Sequence, residues 1–485
     1  MKNKKRSLKN HTPFTHFSRI NKKEKAITTA LQPVLAFTLR FSFLFALAFF
    51  LGIADIYAQT PQDTTENEVK KGWTFGALPA IAYDSDVGFK YGGLVNIYNY
   101  GDGSNYPDYL QSIYLEWSRT TKSSGINQLL FDSEPLMPEL PFRITMDLSY
   151  FTERSMDFYG FNGYESIYIP EFSTLGTPDY ITKMFYRYER KLFHFSLFLQ
   201  NNIGNSNFNW LVGYDHYNHK LGRFDFEEYN KKSSDNTLND TITLYDKYIE
   251  WGIIPEKEAN GGVINYLKTG IIYDTRDQKA NPMEGIWSEI MLSAAPGILG
   301  NRENQFLKLA LIHRHYFTLI PRDLNLALRV GYQGTIAGEA PFYMQSYLIS
   351  SYTESVNVEG LGGKKSLRGI LRNRVLGDDI LYNNIELRWK FWRLKMFKQH
   401  FYLALSGFLD NGLVTDPIDF SKENVPDAFH ERDIFNGMTH GIHSSAGAGL
   451  HIAMNNNFVL AVDYGRALDK RDGTDGIYIG LNFLY

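Results

Sequence analysis

From Phe142 to Tyr150 every second residue is apolar: Phe142, Ile144, Met146, Leu148 and Tyr150 interleave with Arg143, Thr145, Asp147 and Ser149. The period returns in Leu324, Leu326, Leu328, Val330 and Tyr332, in Ile113, Leu115 and Trp117, and in Ala448, Leu450, Ile452 and Met454. Neighbouring side chains of a strand point to opposite faces, so each segment is a strand with one apolar and one polar face. Repeated segments of about ten residues with this period, separated by turn residues, are the pattern of a transmembrane β-barrel, apolar toward lipid and polar toward the lumen. A soluble β-sandwich shares the alternation. Two further features favour the membrane. Many segments begin or end in Tyr, Trp or Phe, as an aromatic girdle at the bilayer interface requires, and an export signal precedes them.

That signal is residues 1–58. Lys2–Lys25 is strongly basic, Phe41–Ile53 is an apolar run, and Ala58 stands before Gln59 as a small residue at a cleavage point. The run is shorter than the roughly 20 residues of a spanning helix, so a cleaved signal peptide with a long basic n-region is expected. Residues 59–72 read as a short polar periplasmic linker, and 73–485 as an outer-membrane β-barrel. Aromatics make up 15% of the chain, which favours strands. A net charge of -3 argues against a nucleic-acid partner. The absence of cysteine removes disulfides and thiolate metal sites.

Sixteen antiparallel strands are expected, near 75–83, 87–100, 109–119, 124–132, 141–152, 181–194, 208–220, 264–276, 285–296, 306–318, 323–337, 379–392, 400–412, 444–455, 457–468 and 476–485. The sixth is the least defined, because the pattern from Ile181 to Asn201 is too long for one strand. The long connections follow odd-numbered strands: 153–180, 221–263, 338–378 and 413–443. Connections after even strands are mostly short. Barrels have long extracellular loops and short periplasmic turns, so both ends of the barrel chain lie in the periplasm and 338–378 is the sixth extracellular loop. In the last strand Ile477, Ile479, Leu481, Phe483 and Tyr485 share one face.

The sixth loop carries Arg368, Arg372 and Arg374 within a Gly-rich stretch. The strand after it sets Ile385, Leu387, Trp389 and Phe391 on one face and Asn384, Glu386 and Arg388 on the other. A cationic loop beside a polar strand face is expected to fold inward onto that face. Glu386 and Asp410 point inward by alternation on neighbouring strands, and a guanidinium fork can hold carboxylates in a way an ammonium cannot. Gly360–Ser366 resembles a phosphate loop only superficially: Lys365 stands where Ser or Thr belongs. His430, His440 and His443 lack metal-ligand spacing, and no Ser/His/Asp arrangement has supporting context. Neither a metal, nor another cofactor, nor catalysis is expected.

These residues resemble a known family, the barrel domain of the BamA/TamA outer-membrane assembly-factor superfamily (the bacterial surface antigen family). Leu367-Arg368-Gly369-Ile370 is similar to its loop motif, with Leu367 and Ile370 where the family prefers a branched residue and an aromatic. Asn384, Glu386 and Arg388 are similar to its next strand, Phe408, Asp410 and Gly412 to its thirteenth, Asp274 and Arg276 to a strand–turn pattern, and Phe158-Tyr159-Gly160 to a third-loop pattern. The resemblance implies a loop latch of Arg368, Gly369, Glu386 and Asp410. It also implies a C-terminal assembly signal at Phe483 and Tyr485, and a weak lateral seam at Pro79, since proline gives the ladder no N–H. The family's assembly enzymes carry POTRA domains before the barrel, and residues 59–71 are too few for one. The implied function is outer-membrane or surface-protein assembly or insertion, or partnership in such a complex. The implied partners are outer-membrane lipids, other assembly proteins and client proteins, in the outer membrane of a Gram-negative bacterium. The alternative is a porin-like passive channel.

Overall fold

The computed structural model describes residues 69–485 except 85–87, 105, 107–108, 122–123, 135–141, 233–236, 280, 352–359, 397–398, 427–434, 436–440, 455–457 and 482. The expected signal peptide, most of the linker, His430 and His440 lie outside the described residues.

The strands are β1 (Trp73–Pro79), β2 (Ala82–Asp84), β3 (Gly88–Asn99), β4 (Gln111–Thr120), β5 (Ser124–Ser133), β6 (Arg143–Asp157), β7 (Arg187–Asn202), β8 (Phe208–Arg223), β9 (Val263–Asp274), β10 (Gly285–Ala295), β11 (Phe306–Ile320), β12 (Leu324–Gly338), β13 (Asp379–Met396), β14 (Gln399–Asp416), β15 (His443–Met454), β16 (Phe458–Ala467) and β17 (Asp475–Leu481). From β2 onward each pairs antiparallel with the next, and β17 pairs back with β2. β1 also pairs with β3, so β1 and β2 are two pieces of one stave in a barrel of 16 antiparallel strands. Closing the sheet on itself leaves almost no edge, which a membrane requires because lipid offers no hydrogen bonds.

Alternation sorts the side chains as the period demands. On β7, Leu192, His194, Ser196 and Phe198 are buried toward the lumen, while Phe193 and Leu197 are exposed outward. The lumen is lined with charge: Lys90 meets Glu116 at 2.5 Å, and Asp215 takes contacts from His194 and Lys268. No helix among the described residues is long and apolar enough to cross a membrane.

Three strands differ from their expected form. The sixth starts at Arg187, not near 181. Ile181 and Thr182 bond back to Phe172, and Phe185 and Tyr186 are buried in an aromatic cluster shared by the loops at that barrel end. Their apolar content comes from loop packing, which carries no strand period. The last strand stops at Leu481, and Phe483 and Tyr485 turn into the lumen, so they do not continue the outward face of Ile477. The first is broken after Pro79. Residues 77–79 pair with Gly93–Val95 of β3, and the pairing with β17 falls at Tyr83–Ile479 and Asp84–Tyr478.

Candidate functional site

Between β12 and β13 the chain enters the lumen as a strap. A bridge between Leu361 and Val375 folds it into a narrow loop. Leu361, Leu367, Ile370 and Val375, all fully buried, pack on Ile380, Tyr382, Val414 and Ala467 of the wall. This apolar packing explains why Leu367 and Ile370 serve as the motif's flanking residues.

Arg368 lies at the tip and is 0% exposed. Its Nε and Nη2 donate to Asp410 at 3.0 and 3.3 Å, its backbone N–H reaches the same carboxylate at 3.1 Å, and Nη1 lies 2.9 Å from Glu386. Asp463 on β16 is 3.6 Å away. The guanidinium sits 3.4 Å over the Phe408 ring, adding a cation–π contact in a desolvated place. Gly369 has φ +94°, and a Cβ there would fall against the Gly465 backbone. Only glycine lets the strap lie so close to β16, and the Gly369 N–H then donates to the Tyr478 hydroxyl at 3.1 Å. Gly412 is constrained alike, for its Cβ would lie 2.9 Å from Leu361 and Leu367. Asn384 Nδ2 holds the Ser366 carbonyl at 2.7 Å.

The strap's other two arginines reach different walls. Arg372 donates to Asp157 at 2.8 Å and Glu153 at 3.1 Å, both on β6, carboxylates that also hold Arg187 and Arg190. Arg374 donates to the carbonyls of Gly163 and Ser166 and lies 3.7 Å from Asp472. Asp472 in turn accepts from Tyr164 at 2.6 Å, and burial, then this carboxylate, push the Tyr164 phenol's pKa up. The strap is therefore pinned on opposite sides of the barrel and at the loop cap. The sequence shows these arginines as loop cations. Nothing in it identifies Asp157 and Glu153, some 200 positions earlier, as partners of Arg372, or Asp472, far later in the chain, as the carboxylate beside Arg374.

The remaining candidates fall into two places. Arg388 bonds Glu386 at 3.0 Å and the Tyr485 carbonyl at 2.9 Å, and the Tyr485 hydroxyl donates to Ala327 at 2.8 Å, so the tail meets the latch residues. Phe483 lies under Arg388 and beside His451. Asp274 and Arg276 instead form a turn at the opposite end, paired at 2.9 Å with the guanidinium over Trp287. Asp277 accepts from Met283 and Glu284 to close that turn. His443 stacks on Tyr164 and bonds Asp472. Asp378, Asp379 and Asp416 form the carboxylate group with metal-like spacing among the described residues. Donors from Thr335, Tyr332 and Gln345 already occupy Asp378 and Asp379.

The sequence profile of the Omp85 superfamily domain matches residues 112–484, from β4 to the inward-turned tail. The chain belongs to the Omp85 superfamily. The resemblance drawn from the loop motif and the strand parity holds at this level. Among solved structures, the Omp85 chain is similar to CdiB from Escherichia coli, at 11% identity and TM-score 0.50 over 85% of this chain and 63% of that one. It is also similar to BamA from Haemophilus ducreyi lacking POTRA domains 1–3, at 16% identity and TM-score 0.49 over 85% and 71%. The chain thus spans less than two thirds of the CdiB chain. No curated protein matches it. Omp85 barrels reside in the Gram-negative outer membrane.

Proposed function

We propose that this barrel works in outer-membrane or surface-protein assembly or insertion, or as a partner in such a complex, after export by a cleaved signal peptide. Arg368, with Gly369, Glu386 and Asp410, latches the strap in the lumen, and the wall parts beside Pro79. Phe483 and Tyr485 form the assembly signal. Outer-membrane lipids, assembly proteins and client proteins are its partners.

The observation that carries this reading is the seam. Among the described residues β17 meets β2 through two residue pairs, although its other edge runs along β16 from Leu460 to Arg466. A seam with few ladder bonds costs the least to separate toward lipid. The strap across the lumen favours this reading over a porin-like channel, because it occupies the path a solute would take.

The register supplies the test. Tyr83 and Ile479 are directly opposed, and opposed antiparallel residues have α-carbons about 4.5–5.5 Å apart, within disulfide reach. The chain has no cysteine of its own. A Tyr83→Cys/Ile479→Cys protein should oxidise readily, stay folded and lose its biogenesis phenotype until reduced. Equal complementation by the oxidised and reduced forms would rule out lateral opening.

A further inference from the structure

On β4 to β8 the outward positions can be followed from strand to strand through the register. One row is Leu115, Leu129, Leu148 and Phe195. The next is Trp117, Asn127, Tyr150, Phe193 and Asn218, with Trp117 53%, Tyr150 42% and Phe193 40% exposed. The row after that is Arg119, Gly125, Thr152, Lys191 and Lys220. On β4 and β7, Arg119 and Lys191 occupy the first outward position beyond the apolar and aromatic run. The sequence of surfaces is therefore hydrocarbon, aromatic girdle, cations, as at the headgroup level of a bilayer.

The cationic row is built to leave room beside it. Gly125 has no side chain, and a Cβ there would lie 2.7 Å from Thr152 Oγ1 and 3.0 Å from Arg119 Cδ. Arg119 thus lies across Gly125 toward the Thr152 hydroxyl. It bonds the Ser118 and Ile126 carbonyls and Asn127, stacks 4.8 Å over Trp117, and has no carboxylate partner among the described residues. Lys191 and Lys220 are directly opposed, an arrangement that destabilises a sheet unless an anion joins them. Glu189 lies 3.4 Å from Lys191 and offsets part of one charge. Lys220 is exposed and has no ion pair among the described residues.

We propose that the outward face of β4–β8 binds the two phosphates of an outer-leaflet lipid headgroup, one held by Arg119 and Thr152 and the other by Lys191 and Lys220. Charge complementarity selects the phosphate, and the row's position directly beyond the girdle selects a lipid over a free anion. Arg119 and Lys220 stand four strands apart, about 19 Å, so Arg119 with Thr152 would hold one phosphate and the two opposed ammonium groups the other, with the acyl chains lying on the Tyr150 and Phe193 rings below.

The test uses the full chain in discs of phosphatidylcholine, alone or doped with diphosphorylated lipid A, and counts retained lipid by native mass spectrometry. Wild type should keep the diphosphorylated lipid and lose its dephosphorylated form. Each basic residue near an anionic surface contributes about fivefold in affinity, so Lys191→Gln/Lys220→Gln should weaken retention about thirtyfold. Arg119→Gln alone should weaken it about fivefold, and a control pair, Lys231→Gln/Lys257→Gln, should not. Equal retention by the row variants and wild type overturns the proposal. So does displacement of the lipid by an equal concentration of inorganic phosphate, which would mark a free-anion site. The proposal rests on the membrane-spanning reading, which is tested separately by different gel migration of unheated and boiled protein, wild type and variants alike.

Discussion

Replacing Arg368 with alanine isolates one buried charge. Glu386 keeps Arg388 at 3.0 Å, and Asp463 keeps His451 at 3.4 Å. Asp410 loses both guanidinium bonds and, among the described residues, retains only the Arg368 backbone N–H, while itself 0% exposed. The perturbation therefore leaves one orphaned carboxylate where the two strands alone suggested two. Breaking a buried pair from one side costs about 3–5 kcal/mol. At about 1.4 kcal/mol per tenfold, the population with the strap released should rise about a hundredfold or more. The assay is cleavage of the strap by a protease that cuts at apolar residues, so that losing Arg368 removes no site. Where reclosing outpaces cleavage, the rate tracks that population. Arg368→Lys should fall between wild type and Arg368→Ala, since one ammonium cannot reproduce the fork. Arg368→Ala/Asp410→Asn should resist cleavage better than Arg368→Ala alone, because it removes the orphaned charge. Cleavage of Arg368→Ala at the wild-type rate, or a double variant weaker than the single, would refute the reasoning.

Arg372→Ala should loosen the strap less than Arg368→Ala, by about 1.5–3 kcal/mol, because Asp157 and Glu153 keep Arg187 and Arg190; a larger loss in the same protease assay would count against this ranking. Tyr485→Phe removes the hydroxyl bond to Ala327 and should cost about 0.5–1.5 kcal/mol in heat stability. Deleting Phe483–Tyr485 should give poor insertion and rapid degradation, and normal levels of folded barrel would contradict the assembly signal. In planar bilayers the strapped barrel should show small, erratic openings. Large steady conductance would favour the porin reading, and Arg368→Ala should then conduct no more than wild type.

The alternating segments were legible because a strand's two faces are a local property: period two appears wherever one face meets lipid and the other the lumen. Strand count, loop parity and the inward strap followed from it, and the Leu367–Ile370 motif together with Glu386 and Asp410 named one anchor. The errors fell where burial arises without that contrast. Phe185 and Tyr186 looked like strand because the loop cap buries them as thoroughly as a wall would. Phe483 and Tyr485 keep the outward spacing of Ile477 along the sequence, yet the backbone leaves the strand at Leu481 and carries both rings inside.

By itself the sequence determined what each residue can do: which face of a strand it takes, that Arg368 needs carboxylates, that Pro79 cannot complete a ladder. Only the tertiary structure decided which groups meet. The strap's three arginines divide among opposite walls and the cap, and among the described residues Asp410 alone depends on Arg368 and β17 finds β2 over two residue pairs. These pairings depend on how a closed sheet brings residues hundreds of positions apart to one place, and side-chain periodicity, which reaches only along a single strand, carries no record of that distance.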